Sequence, residues 1–431
     1  MRSEACAAFS LPVLPDDGCL AQLSDLPTAY ACTTSPRSAY PRLRMTAIGR
    51  EYAATIKKRG KRMKTGNRKT ISCFEGLRGA AALLVVLLHM RLKWPFLGFT
   101  YNGYLAVDLF FVLSGYVICR SYSGQLMGPA QFWVFVIRRF GRLWPVHVAT
   151  TVLFLIIGNA LLMSWPPVIP SPTEALALAS MTQGLNLFDH YVGTGVSWSA
   201  SDEFYAYLIF AALCLFFRRR ARLLAFLVLA LAGYAMAIWC AAGTQFDCLR
   251  RGECLNMTYS YGWTRCLAGF FIGVLIFELN EHRLLRIVSG KRSAQVLAFL
   301  AVALLLWLSS VKPAVAFAAP LVFGALIASL QSDGGPVARL FQCRPALYLG
   351  KISYSLYLGH GVIAPLFVVL YDRTANLTAQ AALCAVFLFQ SIALAHLLYR
   401  FVETPLRDRF YSWSNTAFRS LSVNATDRVH S

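Results

Sequence analysis

LRGAAALLVVLLHM, residues 77–90, is apolar over the length of a helix, apart from an arginine near its start and a histidine near its end. The chain around it decides the medium. Of its 431 residues 57% are hydrophobic and only 14% charged, and the mean hydropathy is +0.53. Soluble domains average about 45–50% apolar and about 25% charged residues. The apolar residues also come in long blocks rather than at amphipathic spacing, so a soluble fold has nowhere to put them. The expected class is an all-α polytopic membrane protein, with 77–90 inside one span.

A crossing helix needs roughly 20 mostly apolar residues. The blocks then give about ten transmembrane helices, near 75–95, 103–122, 141–163, 196–217, 223–242, 261–279, 294–311, 314–331, 346–370 and 378–400. Basic residues set the orientation, because cytoplasmic loops are enriched in Lys and Arg. With the N-terminus inside, the inner loops hold Arg138, Arg139 and Arg142, the run RRRAR at 218–222, and further cations up to Arg409. The outer loops hold only Arg91, Lys93, Arg250, Arg251, Lys312 and Arg373. Counting TEALALASMTQGLNLF (173–188) as a span would put 218–222 outside, so that segment reads as a lumenal or interfacial helix. Both termini are then cytoplasmic.

This topology accounts for the formal charge of +21, and a nucleic-acid partner is not expected. Residues 1–70 read as a disordered basic extension in which Met45 or Met63 are alternative starts. Its polybasic run KKRGKRMKTGNRK (57–69) suits an anionic lipid leaflet. A membrane domain over 71–410 and a short cytoplasmic tail over 411–431 complete the organisation. The twelve cysteines contain no CxxC and no metal-ligand spacing, so no metal is expected. Cys248 and Cys254 share the outer loop FDCLRRGECLN, where an oxidising compartment permits a structural disulfide.

Arg78 and His89 are eleven residues apart, which is three helical turns and roughly 16 Å along the axis. They share a stripe, and ionisable groups within spans face a bundle interior or a wet cavity. Asp108 and Ser114 follow in GYLAVDLFFVLSGYVI (103–118), and Arg138, Arg139 and Arg142 in FWVFVIRRFGRLWPVH (132–147). Asp202 and Glu203 lie in VSWSASDEFYAY (196–207), Arg265 in TRCLAGFFIG (264–273), and His360 in LGKISYSLYLGHGVI (349–363). The last span closes on YRFVETPLR (399–407). Such residues also suit a secondary transporter or a lipid-linked sugar flippase, but the halves show no internal repeat and no paired Gly/Pro-broken spans.

In this order the pieces resemble the integral-membrane acyltransferase family 3, whose members O-acetylate surface polysaccharides, lipopolysaccharide and related extracytoplasmic molecules. The resemblance covers about residues 70–410. It rests on LRG…H (Leu77, Arg78, Gly79, His89), G…VDLFFVLSG, the R..R..P run, W-S-x-x-x-E, ISYSLYL.H and the closing VE.P. It implies about ten transmembrane helices in a bacterial inner membrane, an acyl-CoA donor (acetyl-CoA above all), and a glycan or glycolipid hydroxyl as acceptor. Polysaccharide-biosynthesis proteins are the implied partners. The family's essential first-span arginine and histidine fall on Arg78 and His89. Its arginine pair falls on Arg139 and Arg142, or on Arg138 and Arg142. Some relatives append a hydrolase-like domain; here a membrane domain alone is expected, with acceptor recognition from loops 164–196 and 243–260 or from a partner. Ala200 stands where the family has a larger aliphatic residue and Gly359 where an aromatic is common, which bears on the acceptor more than on the reaction.

The residue types fit acyl transfer. Histidine is the usual base for a hydroxyl near neutral pH, and an acyl-histidine is a second route. Arginine forks suit the phosphates of the donor, and Arg78 suits the pyrophosphate or the developing charge on the thioester carbonyl. Asp108 and Glu203 orient His89 or Arg265, or pair within the bundle. His360 is an acceptor-site or a packed residue, Glu403 pairs with Arg400 or Arg407, and His147 and His396 are structural.

Overall fold

A computed structural model describes residues 70–90, 95–126, 128–162, 169–243, 246–281 and 289–427. The N-terminal extension with Met45, Met63 and the polybasic run, and Arg91, Lys93, Arg283 and Arg286, lie outside the described residues. All regular structure among the described residues is helical. The principal helices are α1 (Ser72–His89), α2 (Ala106–Tyr122), α3 (Pro129–Leu162), α4 (Pro172–Ser180), α5 (Trp198–Phe216), α6 (Arg219–Ala242) and α7 (Gly262–Glu278). They continue with α8 (Arg292–Val311), α9 (Ala319–Leu330), α10 (Arg344–Lys351), α11 (Ser353–Asp372), α12 (Leu377–Leu398) and α13 (Thr404–Asp427). Among the described residues, nine stretches of at least 18 residues are long and apolar enough to cross a membrane. The 17-residue α7 is within the spanning range of about 17–25 and corresponds to the span read near 261–279.

Lipid-facing and central helices differ in what they leave uncovered. α6 exposes Leu224, Leu231 and Trp239, and α8 exposes Leu297, Leu300 and Trp307; apolar side chains on the outside of a bundle suit hydrocarbon, not water. The stretch Phe99–Tyr122 is the opposite case, with 89% of its most apolar eighteen residues buried. α2 and α7 approach so closely that a Cβ on Gly115 would lie 1.8 Å from the Phe270 carbonyl oxygen, and one on Gly273 would lie 1.9 Å from that of Val112. Small residues at such crossings let backbones touch where no hydrophobic drive holds helices together. α1 is seated on α10 in the same way, since a Cβ on Gly350 would meet the Glu75 carbonyl at 2.1 Å. The open N-terminus of α1 is capped from far along the chain. Asp333 accepts from the Ser72 and Cys73 amides at 3.0 and 2.9 Å, which satisfies orphan donors and complements the helix dipole.

Four boundaries differ from the sequence reading. The arginine cluster is not in a loop before a span at 141; it sits inside the continuous 34-residue α3, which carries Pro145 in its interior. The span expected over 346–370 is broken at Ile352 into α10 and α11. The last span does not end at 400 but passes through a π-turn, Tyr399–Glu403, into α13, so most of the expected tail is helical. The π-turn admits the wider winding that lets Glu403 turn inward, a common device at functional positions. Within 173–188 only α4, nine residues with a Ser171–Glu174 capping box, is helical. That is far too short to cross, in agreement with the interfacial reading.

Candidate functional site

α1, α2, α3, α5 and α11 enclose a cavity of about 100 Å³ whose polar lining includes Arg78, Ser114, Glu203, Tyr207, Tyr354 and Tyr357. A wider one of about 560 Å³ is lined by Glu75, Lys351, Glu403, Arg407, Asp408 and Tyr411. Arg78, Arg139 and Arg142 line both. Three guanidinium groups therefore form a cationic neck between a broad vestibule and a narrow interior.

Packing against α13 decides which arginines reach the neck. Arg139 and Arg142, three residues apart, share one face of α3. Arg138, one turn before Arg142 and close to it in helical angle, is held instead by α13: it donates to Ser414 Oγ at 3.1 Å and Asn415 Oδ1 at 2.6 Å. Arg138 thus lines neither cavity, whereas Arg139 and Arg142 line both. Arg139 donates to the phenol oxygens of Tyr122 and Tyr411 at 3.1 and 2.9 Å. Its Nε is buried without a partner, and no carboxylate pairs with it among the described residues. Arg142 is bonded to Glu403. Glu403 also accepts from Ser355 Oγ at 2.6 Å, so the expected pairing with Arg400 or Arg407 is replaced by one across the bundle.

Glu203 accepts from Ser114 Oγ and Tyr207 Oη, and the two hydroxyls lie 2.8 Å apart. It is anchored in the cavity wall and orients neither His89 nor Arg265. Asp108 does not reach the cavity either. Arg265 grips it through both guanidinium arms, Nη2 to Oδ2 at 2.6 Å and Nε to Oδ1 at 3.2 Å. Its remaining donors reach the carbonyls of Met257 at 2.9 Å and Tyr104 at 3.2 Å. Both partners are essentially inaccessible, at 1% and 0% exposure. The pair is a structural pin joining α2, α7 and the outer loop. Asp202 is buried with both carboxylate oxygens unpartnered among the described residues, and it lines neither cavity.

At the far end of α1, His89 meets His360. The ring centroids are 4.8 Å apart and the planes meet at 64°. His89 Nδ1 lies 2.9 Å from the Val85 carbonyl and His360 Nδ1 lies 3.0 Å from that of Leu356. A carbonyl only accepts, so both neutral rings carry the proton on Nδ1 and the lone pair on Nε2. Neither histidine lines the inner cavity. Tyr357 stands between: it lines the cavity, accepts from Ser199 Oγ at 2.8 Å, and holds its ring 6.1 Å from His360.

Cys248 and Cys254 are disulfide-bonded. His147 is bonded to the Leu178 carbonyl and His396 to Tyr348, as packing residues. Sequence reasoning missed the hydroxyls of Tyr122, Tyr207, Tyr354, Tyr357 and Tyr411. Tyr207 follows Glu203 by one helical turn, and Tyr354 and Tyr357 share the ISYSLYL stretch with His360. Tyr411 gives no comparable signal.

The sequence was compared with known proteins. A family model described as an acyltransferase domain, acyltransferase family 3, matches residues 71–396. The peptidoglycan O-acetyltransferase OatA of Listeria monocytogenes is 26% identical over 383 residues, 80% of this chain and 57% of that protein. A putative peptidoglycan O-acetyltransferase, YrhL of Bacillus subtilis, is 24% identical over 387 residues, 82% of this chain and 58% of its own length. A putative O-acetyltransferase of Staphylococcus aureus is 24% identical over 366 residues, covering 77% and 56%. The chain thus spans little more than half the length of these relatives. No solved structure matches.

Proposed function

The chain belongs to acyltransferase family 3, and from that premise we propose that it is an O-acyltransferase of a bacterial plasma membrane. It takes an acetyl group from acetyl-CoA and delivers it to a hydroxyl of an extracytoplasmic glycan. The names of its relatives make peptidoglycan a leading acceptor class, beside the exopolysaccharide or lipopolysaccharide that the motif pattern implies. The observation that carries the reading is the arginine neck, which joins a basic vestibule to an enclosed cavity.

Lys351 and Arg407 give the vestibule further cations, and both stand at positions that the sequence reading assigns to the cytoplasmic side. Donor phosphates bind there, with Arg139 as the principal partner because neutral phenols leave its charge available. Arg142 exchanges Glu403 for phosphate or keeps it, and Arg78 meets the donor where the passage narrows. The pantetheine arm then lies along the Arg78–His89 stripe, and Tyr357 turns aside to admit the thioester to His89. His89 Nε2 supplies the lone pair for the chemistry, its ring held by the Val85 bond.

The test is CoA release from radiolabelled acetyl-CoA by purified protein in nanodiscs with a glycan extract, compared with His89→Ala. Release dependent on His89 is the expected result. No release from folded wild type, with several acyl-CoAs offered, removes the donor reading and returns the charged residues to a transport role.

A further inference from the structure

The chemistry above uses one imidazole, and the structure holds two. His360 is wholly buried, yet its Nε2 has no hydrogen-bond partner among the described residues. A buried acceptor left unsatisfied costs about 1–3 kcal/mol, and an apolar side chain would fill the same space without that cost. Packing alone therefore does not account for it. The unpartnered atoms continue outward. Val196 and Thr194 crowd Gly361, where a Cβ would meet them at 2.7 and 3.8 Å. Thr194 Oγ1 and Gln183 Oε1, in the same loop, are buried without partners. The arginine-lined cavity, by contrast, approaches His360 through Tyr357. The pair thus stands between a donor-side cavity and a second set of polar atoms in the connection before α5.

The Val85 bond sets a limit on His89. An imidazole whose Nδ1–H is tied to a carbonyl has one lone pair, on Nε2. If that nitrogen carries the acyl group, His89 has none left to accept the proton of the incoming hydroxyl. His360 presents the missing one, 4.8 Å away between ring centroids.

Building on the acetyl-CoA reading, we propose that the two histidines divide the transfer: His89 is the acyl-carrying nucleophile and His360 is the base for the acceptor. In the first half-reaction His89 Nε2 attacks the thioester carbon, the C–S bond breaks, and CoA leaves as a thiolate that is protonated from solvent. The acyl-imidazolium keeps its Nδ1–H on Val85. In the second, the acceptor oxygen attacks the acyl carbon while its proton passes to His360 Nε2. The C–N bond breaks, His89 returns to its neutral form, and His360 gives its proton to water. Donor and acceptor then never need to be bound together, which suits partners that arrive from opposite faces of a membrane.

The experiment is rapid-quench kinetics with radiolabelled acetyl-CoA on the full chain in nanodiscs, comparing wild type, His360→Gln and His360→Ala. In the His360 variants one equivalent of CoA is released in a burst and the label stays on His89, located by peptide mapping. Transfer to glycan falls about 100-fold or more, the range for loss of a general base. Added imidazole restores transfer in His360→Ala. A His360→Gln protein that turns over at the wild-type rate overturns the division, and so does one that melts like wild type but shows no burst. Wild type quenched without acceptor gives a measurement that no folding defect touches: label on His89 is expected. Its absence, with normal turnover when acceptor is present, overturns the proposal while leaving the donor reading intact. If wild type releases no CoA at all, it is the donor reading that fails.

Discussion

Asp108→Leu separates the residues that hold this bundle together from those placed at its chemistry. It removes two charge-assisted bonds from Arg265, at 2.6 and 3.2 Å, and leaves the guanidinium at 1% exposure with only two carbonyl acceptors. Breaking a buried ion pair from one side costs about 3–5 kcal/mol, because the surviving charge stays uncompensated. Arg265→Met strands the carboxylate and falls in the same range. The double variant loses both charges together, and apolar replacement of a whole buried pair is often neutral. Here the carbonyls of Met257 and Tyr104 also lose their donor, which adds about 1–3 kcal/mol in all, the net worth of two hydrogen bonds to acceptors that keep a second lone pair. The double variant is therefore more stable than either single one, with a coupling of at least about 2 kcal/mol. Unfolding in mixed micelles measures the three variants, and acetyl-CoA turnover is followed on the same samples. The double variant keeps most of its turnover where it is folded. Single substitutions costing less than about 1 kcal/mol would refute the structural assignment. So would a folded double variant without turnover, since the pair would then belong to the reaction.

Arg139→Gln raises the KM for acetyl-CoA about 10- to 100-fold, the equivalent of one charge-assisted phosphate contact; Arg138→Ala, which alters only contacts with α13, leaves KM within about twofold. Equal effects from the two would remove the assignment drawn from the contacts of α13 and the cavity lining. On the loop surface, His190 donates to Glu174 and Asp189, both at 2.7 Å. The bonds to Glu174 and then Asp189 raise the His190 pKa above its ordinary 6.5, and those from Ser171 and then His190 lower Glu174 from 4.5 to about 2. The histidine's contribution is complete below pH 6.5 and fades as pH rises through its raised value. The glutamate's is complete above 4.5 and fades as pH falls through about 2. Protection from hydrogen exchange over 171–190, taken relative to the intrinsic rate at each pH, is accordingly greatest between pH 4.5 and 6.5, and lower protection inside that window than at pH 8 would contradict it.

The span count, the class and the Arg78–His89 stripe were legible because they depend on local quantities. Hydropathy is summed along a segment, and residues eleven apart on one helix share a face whatever packs against it. The Cys248–Cys254 pair was legible for the same reason, its partners being six residues apart. What failed was pairing at long range. Glu403 was matched to its sequence neighbours, yet it meets Arg142, 261 residues away. Asp108 and Glu203 appeared alike as carboxylates at membrane depth, but the first is consumed by Arg265, 157 residues distant, and the second is held by hydroxyls in the cavity wall. The choice between Arg138 and Arg139 could not be made from spacing, because both are one turn or less from Arg142 and only the seat of α13 shows which faces inward.

By itself, then, the sequence determined the medium, the all-helical class, the family and the shared face of Arg78 and His89, all of which follow from composition, helical period or order along the chain. The tertiary structure decided which arginines form the neck, which ion pair is a pin, and that His360 stands beside His89. These are contacts between elements, fixed by how close glycine-bearing helices approach and by which donor reaches which acceptor. No pattern within one segment encodes such a distance, because the same polar residue lowers the energy of the fold with whichever partner the packing brings within hydrogen-bonding reach.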